Sequence, residues 1–271
     1  MISTNEFNQF QDLIYSKTGI YLGESKIDFL FRRIKSRMEE LDIIHIKDYW
    51  HYLRFDSSSK ELGNLILLIV NHETYFFREY PQLEYFVENI IPIIEKEKVQ
   101  NKTLRVLSAG CSTGDEPYTL AIILREMLDY FSTWQINIDG FDISERALEK
   151  AMKAEYADRN LRDTPYIYRD KYFLRTKDTY LLKPEIKNMV RFINNNLYDE
   201  YQVSQLPFYD VIFMRNVLIY FDYPSGKKVL ESLYTRMNRG GFLFLGQAES
   251  VSRFTTIFKM ERIGNGFVYR K

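Results

Sequence analysis

Leu104-Arg-Val-Leu-Ser108-Ala-Gly110-Cys-Ser-Thr-Gly114-Asp-Glu116-Pro-Tyr118 reads as a buried strand, a glycine-rich turn and the first turn of a helix. Gly110 and Gly114 can take backbone angles closed to other residues and let a ligand lie directly on the main chain. The helix that follows aims free N–H groups at that ligand. Such a turn is a cradle for a nucleotide or a cofactor. Which one it holds depends on the rest of the chain.

From residue 103 onward strands alternate with helices, the mark of a largely parallel sheet. A strand over 105–108 leads to a helix reaching about 130, with Leu120, Ile123, Leu124 and Met127 on its inner face. A second strand, 136–141, ends on Asp142, and Ser144 caps a helix bearing Ala147, Leu148 and Ala151. An acidic residue at the tip of the second strand is placed to accept both hydroxyls of a ribose. Residues 156–188 break the alternation. They are rich in Tyr, Arg, Lys and Asp, with strand-like pieces at Lys171-Tyr-Phe-Leu174 and Thr179-Tyr-Leu-Leu182, and read as a small inserted subdomain. The sheet resumes at 190–193 and leads to Asn195-Asn196-Leu197; next, Tyr209-Asp-Val-Ile-Phe-Met-Arg215-Asn216 is a buried strand with an arginine and an asparagine at its carboxyl end. That edge is where open α/β sheets bind ligands. Pro224 starts a helix carrying Val229, Leu233 and Met237, and Arg239-Gly-Gly241 turns it into a strand over 242–245. Residues 258–261 and 267–270, around Gly264-Asn-Gly266, form a closing antiparallel pair.

Upstream, residues 5–68 are helical in pattern. Ile27, Leu30, Ile34, Met38 and Leu41 recur at three- and four-residue steps on one helical face. Lys26, Arg33 and Arg37 fall beside that stripe, with Arg32 and Lys35 on its other flank, giving either a solvated face or a docking surface for an acidic helix. Asp56-Ser-Ser-Ser-Lys60 breaks the pattern, and Ser58 or Ser59 is the expected cap of a helix with Leu62, Leu65, Ile66 and Ile69 inward. Asn71-His72-Glu-Thr74-Tyr-Phe-Phe-Arg78-Glu79 joins the two parts, as a hinge with buried rings or as part of a site, and Pro81 opens a helix to about residue 97.

Lys plus Arg equals Asp plus Glu at 37 each, so no overall charge draws the chain to nucleic acid. The longest apolar run, near residues 65–70, is far short of a membrane span, and the start lacks the regions of a secretion signal, so a cytoplasmic protein with no membrane insertion is expected. The single cysteine, Cys111, excludes an internal disulfide and a cysteine-rich metal site, and no metal is expected.

Three chemistries fit the glycine turn. Gly110-Cys-Ser112-Thr-Gly114 matches the nucleophile elbow of hydrolases, but that reading needs a histidine after the serine, and His45, His51 and His72 all precede it. A dinucleotide site is disfavoured because G-x-G-x-x-G is absent and Asp142 lies 28 residues beyond Gly114. The third is an S-adenosylmethionine site. Here the chain resembles the chemotaxis receptor methyltransferase (CheR) family over nearly its whole length. The matching blocks are Thr74-Tyr-Phe-Phe-Arg78-Glu79, Ser108 through Tyr118, Phe141-Asp-Ile143, Asn196-Leu197, Asp210 through Asp222, and Gly240-Gly-Phe-Leu-Phe-Leu-Gly246.

The resemblance implies a class I S-adenosylmethionine-dependent methyltransferase domain of Rossmann-like α/β fold, with a small inserted β subdomain, preceded by an all-α N-terminal domain. The expected division is 1–75 for the helical receptor-docking domain, 76–102 for the interdomain loop and linker helix, and 103–271 for the methyltransferase domain, with 157–189 inserted in it. The implied reaction is methyl transfer to glutamate side chains of chemoreceptors, leaving S-adenosylhomocysteine. The implied cofactor residues are His72, Thr74, Arg78, Gly110, Glu116, Asp142, Asn196, Leu197, Arg215 and Asn216. Arg78 and Tyr220 are the implied pair that positions the acceptor carboxylate. The family commonly has asparagine where this chain has His72. Some members bind a receptor-terminal tether through a glycine-containing loop, whereas Arg175-Thr-Lys-Asp-Thr-Tyr180 is short and has no glycine. Tether-independent recognition is therefore expected, with Lys26, Arg32, Arg33, Lys35 and Arg37 meeting acidic receptor helices. Two rivals remain: a methyltransferase with another signalling protein or a small molecule as acceptor, and a non-catalytic cofactor-binding module. The presence of both Arg78 and Tyr220 speaks against the second.

Overall fold

The computed structural model describes residues 3–70 and 73–271. Four helices open the chain: α1 (Thr4–Thr18), α2 (Ile27–Glu40), α3 (Ile46–Phe55) and α4 (Lys60–Ile69). The start of α4 is held by a serine and an aspartate together: Ser58 Oγ accepts the Lys60 N–H at 3.3 Å and Asp56 Oδ2 accepts the Glu61 N–H at 2.8 Å, while the Ser59 side chain makes no cap bond.

Leu30 and Ile34 are buried on α2 as the periodicity predicts, but so is Arg37, at 4% exposure. Arg37 lies three residues after Ile34 and seven after Leu30, which puts it in the buried stripe and not on a docking flank. Its guanidinium meets Glu61 through Nε–Oε1 at 2.9 Å and Nη2–Oε2 at 2.7 Å, and Tyr49 donates to Glu61 Oε1 at 2.8 Å. Glu40 takes the remaining nitrogen. Arg37→Ala leaves the Glu61 carboxylate buried without its partner and is expected to lower stability by about 3–5 kcal/mol. Urea unfolding of the two proteins checks this.

Helix α5 (Tyr80–Tyr85), a π turn over Phe86–Ile90 and α6 (Ile91–Glu97) run on as one rod. Pro92 has no N–H to offer the preceding turn, and the helix widens just before it. The sheet domain then runs β1 (Thr103–Ala109), α7 (Asp115–Met127), β2 (Gln135–Asp142) and α8 (Glu145–Lys153). The inserted segment contains β3 (Glu155–Tyr156), α9 (Tyr166–Tyr172), β4 (Phe173–Arg175) and β5 (Tyr180–Leu182), and α10 (Pro184–Lys187) leads back to β6 (Val190–Asn194). The chain ends with α11 (Glu200–Ser204), β7 (Tyr209–Met214), α12 (Tyr223–Thr235), β8 (Met237–Leu245), β9 (Lys259–Ile263) and β10 (Gly266–Arg270).

The large sheet has the order β6-β2-β1-β7-β8-β10-β9. Its first five strands are parallel, and β10 pairs antiparallel with both β8 and β9. The connections leave β1 in opposite directions, toward β2 and β7, so the switch point of the sheet lies beside the glycine turn. The inserted strands form a separate sheet, β3-β5-β4.

Alternate residues of β7 serve different cores. Ile212 and Met214 join α12 and the helices of the amino-terminal part; Val211 and Phe213 join α6, α7 and the inserted segment. The helical part therefore shares one core with a face of the sheet.

Three local expectations change. Met237 begins β8 rather than ending α12, because the helix stops at Thr235 and Met237 pairs with Tyr209. Gly240 and Gly241 lie within β8 opposite a register shift between Tyr209 and Val211, so the glycines serve a bulge instead of a turn. Met127 is 38% exposed at the end of α7. The capping role of Ser144 holds, since its Oγ accepts the Ala147 N–H at 3.3 Å. Among the described residues no helix is long and apolar enough to cross a membrane.

Candidate active site

At the carboxyl end of β1 the chain turns through Gly110 (φ +78°), Ser112 (φ 50°) and Gly114 (φ +86°). The Gly110 and Cys111 N–H groups donate to the Phe141 carbonyl at 2.8 and 3.0 Å, and the Ser112 N–H donates to Asp142 Oδ2 at 2.9 Å. The other oxygen of Asp142 takes the Ser144 N–H at 2.9 Å. Asp142 thus ties the glycine turn to the loop leading into α8.

Helix α7 starts on Asp115, which is fully buried and accepts from Thr113 Oγ1 at 2.6 Å and Asn160 Nδ2 at 2.8 Å. Burial pushes its carboxyl above the ordinary range. Asn160 also accepts the Phe76 N–H at 2.8 Å through its carbonyl. Asn160 of the inserted segment thereby fastens the interdomain loop, through its backbone carbonyl, to the start of α7, through its side chain.

From the end of β7 come Arg215 and Asn216. The Arg215 guanidinium, 3% exposed, lies 3.4 Å from Glu116 Oε2 and 3.3 Å from Glu79 Oε2, and donates to the Arg78 carbonyl. Glu116 also accepts from Ser108 Oγ at 2.6 Å. Burial holds the Glu116 carboxyl above its ordinary range, although Arg215 pulls it the other way. Asn216 sits at φ 59° and donates from Nδ2 to Glu79 Oε1 at 3.3 Å. Tyr220 closes a short 3-10 turn, and its carbonyl accepts the Tyr21 N–H at 3.0 Å beside a bridge between Ile20 and Phe221.

These groups surround one cleft of about 1070 Å³, part of it open to solvent. Thr74 and Arg78 reach it from the interdomain loop, and Gly110, Glu116 and Asp142 from the first two strand ends. Asn196 and Leu197 reach it from the end of β6, and Arg215, Asn216 and Tyr220 from the end of β7. His72 lies outside the described residues. The sequence reading missed Thr18, Ile20, Ile66 and Val70 of the helical part, which also line the cleft. It also missed Glu79 as a partner of Arg215.

Cys111 is 2% exposed, and burial, with Asp142 and Glu116 nearby, pushes its thiol well up, so it stays protonated and unreactive. His45 and His51 belong to the region of α3 and do not line the cleft. Ser112 therefore has neither of them as a base.

The lining carries three carboxylates, Glu73, Glu116 and Asp142, against two guanidiniums, Arg78 and Arg215. An acidic excess in a partly enclosed cleft favours a cationic ligand. Two buried atoms of lining residues, Arg215 Nε and Asn195 Oδ1, take no partner from the protein. One donates and the other accepts, which fits a ligand bearing both a carboxylate and N–H or O–H groups. S-adenosylmethionine, with its sulfonium, amino acid end and nucleoside, meets these requirements.

A cofactor cleft at the carboxyl edge of a largely parallel sheet defines a nucleoside-cofactor enzyme of Rossmann-like fold. Residues 72–267 match the CheR methyltransferase SAM-binding domain, and residues 5–69 match the CheR methyltransferase all-alpha domain. The chain belongs to the CheR methyltransferase family and is an S-adenosylmethionine-dependent methyltransferase. It is 38% identical to chemotaxis protein methyltransferase 2 of Vibrio cholerae, over 100% of this chain and 94% of that one. A chemotaxis protein methyltransferase of Klebsiella aerogenes is 31% identical, over 95% of this chain and 87% of the relative. One of Borreliella burgdorferi is 29% identical, over 92% and 89%.

Proposed function

We propose that this enzyme methylates glutamate side chains of chemoreceptors in the cytoplasm. What supports the reading is that Arg78 and Tyr220 line the same cleft as the glycine turn. Bound S-adenosylmethionine supplies a methyl group on a positively charged sulfur that leaves readily. An acceptor carboxylate oxygen bonds to the methyl carbon as the carbon–sulfur bond breaks, and the carboxylate charge disappears in the ester. A carboxylate needs no base to become a nucleophile, so alignment and exclusion of water supply most of the rate. Arg78 grips one oxygen and leaves the other toward the methyl, and Tyr220 completes that grip. Glu116 and Asp142 hold the polar groups and ribose of the cofactor, with Thr74, Gly110, Asn196, Leu197, Arg215 and Asn216 completing the pocket. Residues 1–75 serve docking, 76–102 link, and 103–271 carry the reaction with 157–189 inserted.

Lys26, Arg32, Arg33 and Lys35 are exposed and provide the basic face for an acidic receptor helix. Recognition proceeds without a receptor-terminal tether. In support, the β4–β5 turn is closed on itself, with the Thr176 N–H donating to the Thr179 carbonyl at 2.8 Å. Incubation with methyl-labelled S-adenosylmethionine and purified receptor signalling domains is expected to give label that alkali releases as methanol. Cofactor binding without transfer to any receptor overturns the acceptor assignment, and micromolar binding of a receptor-terminal peptide overturns tether independence.

A further inference from the structure

The segment joining β7 to α12 carries Asn216 and Tyr220, and a carboxylate outside the cleft gathers its backbone. Glu249, in the turn after β8, accepts the Asn216 N–H at 2.8 Å and the Gly246 N–H at 2.8 Å on Oε2, and the Ile219 N–H at 3.2 Å on Oε1. Two strand ends and the residue next to Tyr220 thus converge on one side chain. Asn216 needs such a hold. Its φ of 59° is left-handed, a conformation that costs a non-glycine residue free energy and persists only when its surroundings enforce it. Gly246 leaves the room in which the groups meet, since a Cβ there would come within 2.9 Å of both the Asn216 nitrogen and Glu249 Oε2. Glu249 is not among the residues that line the cleft.

We propose that Glu249 is a positioning residue for methyl transfer, holding Tyr220 at the acceptor through the backbone of Asn216 and Ile219. The inference rests on the reading of Tyr220 as an acceptor-positioning group. Only a carboxylate offers two acceptor oxygens to these three inward N–H groups. Glutamine of the same shape turns an NH2 toward at least one of them, which releases one end of the segment.

Two measurements on the full chain test it. Amide hydrogen exchange of residues 216–220 is expected to rise at least tenfold in E249Q, a readout that requires no acceptor. With labelled S-adenosylmethionine at saturation and receptor signalling domains as acceptor, E249Q is expected to lower turnover ten- to a hundredfold, because a shift of about 1 Å in a positioned group costs about that much. The double variant E249Q/Y220F is expected to be no slower than Y220F alone. Unchanged exchange in E249Q overturns the anchoring. Faster exchange with wild-type turnover, or losses that multiply in the double variant, overturns the positioning role. Wild-type turnover in Y220F, with faster exchange in E249Q, locates the failure in the role of Tyr220 instead. G246A crowds Asn216 and Glu249 Oε2 and is expected to raise the same exchange if E249Q does not fold.

Discussion

Arg78→Ala is expected to lower methyl transfer to receptor by about a hundred- to a thousandfold while the protein stays folded and changes cofactor affinity by less than about tenfold. The backbone at Arg78 is held from both sides. Phe77 and Glu79 stand at φ 58° and 56°, the Phe77 N–H donates to Thr119 Oγ1 at 3.1 Å, and the Arg78 carbonyl accepts from Arg215. The guanidinium itself donates to the Glu73 carbonyl and lies 5.7 Å from the Tyr75 ring centre, so its own bonds are to the surface of the loop. Removing it disturbs little of the core and takes away the cation proposed to orient the acceptor. Arg78→Lys keeps the charge without the planar fork and is expected to fall between the two. Steady-state transfer of labelled methyl, with S-adenosylhomocysteine affinity measured separately by calorimetry, checks the split. Transfer by Arg78→Ala within threefold of wild type removes Arg78 from the mechanism.

Arg215→Ala is expected to act on folding and cofactor affinity together. The side chain is buried between Glu79 and Glu116, and its loss leaves two carboxylates without their cation, at a cost of about 3–5 kcal/mol. Burial already raises the Glu116 carboxyl, and without Arg215 it rises further. A carboxyl raised in the folded state binds its proton more tightly there than in the unfolded chain, so stability falls as pH rises through the carboxyl range. The deficit of Arg215→Ala is therefore expected to be smaller at acid than at neutral pH, and Glu116→Gln added to it is expected to restore part of the loss. Urea unfolding at several pH values measures this. Calorimetric titration with S-adenosylhomocysteine is expected to show at least a hundredfold weaker binding in the folded variant.

Much of the fold was legible because strand and helix periods differ and glycine turns have few uses. The run from Leu104 to Tyr118 placed β1, its turn and α7, and the carboxyl-end residues Asp142, Arg215 and Asn216 followed from strand ends that are local features. Other residues were legible only in part. Arg37 looked like a surface charge because its partner, Glu61, lies 24 residues away, and no local period shows that a buried arginine is matched. Ser58 caps the first turn of α4 as its spacing suggested, but Asp56 shares that role from five residues before Glu61. Glu249 belongs to no block with a recognisable spacing; only its three backbone partners reveal it.

Which faces are apolar, where the chain reverses and which strand ends carry charge could be read from the residues alone, since these depend on residues close together in the chain. That was enough for a parallel sheet with a cofactor turn at its carboxyl edge and a helical part before it. Tertiary structure alone decided that the helical part is also a wall of the cleft. Ile20 pairs with Phe221 next to Tyr220, and Ile66 and Val70 line the same space as Asp142. An apolar stripe specifies that a helix must be covered but not by what, because burial is non-directional and any apolar face of matching shape satisfies it. The choice is made by contacts among residues some two hundred positions apart, such as Ile20 and Phe221, which no local period encodes.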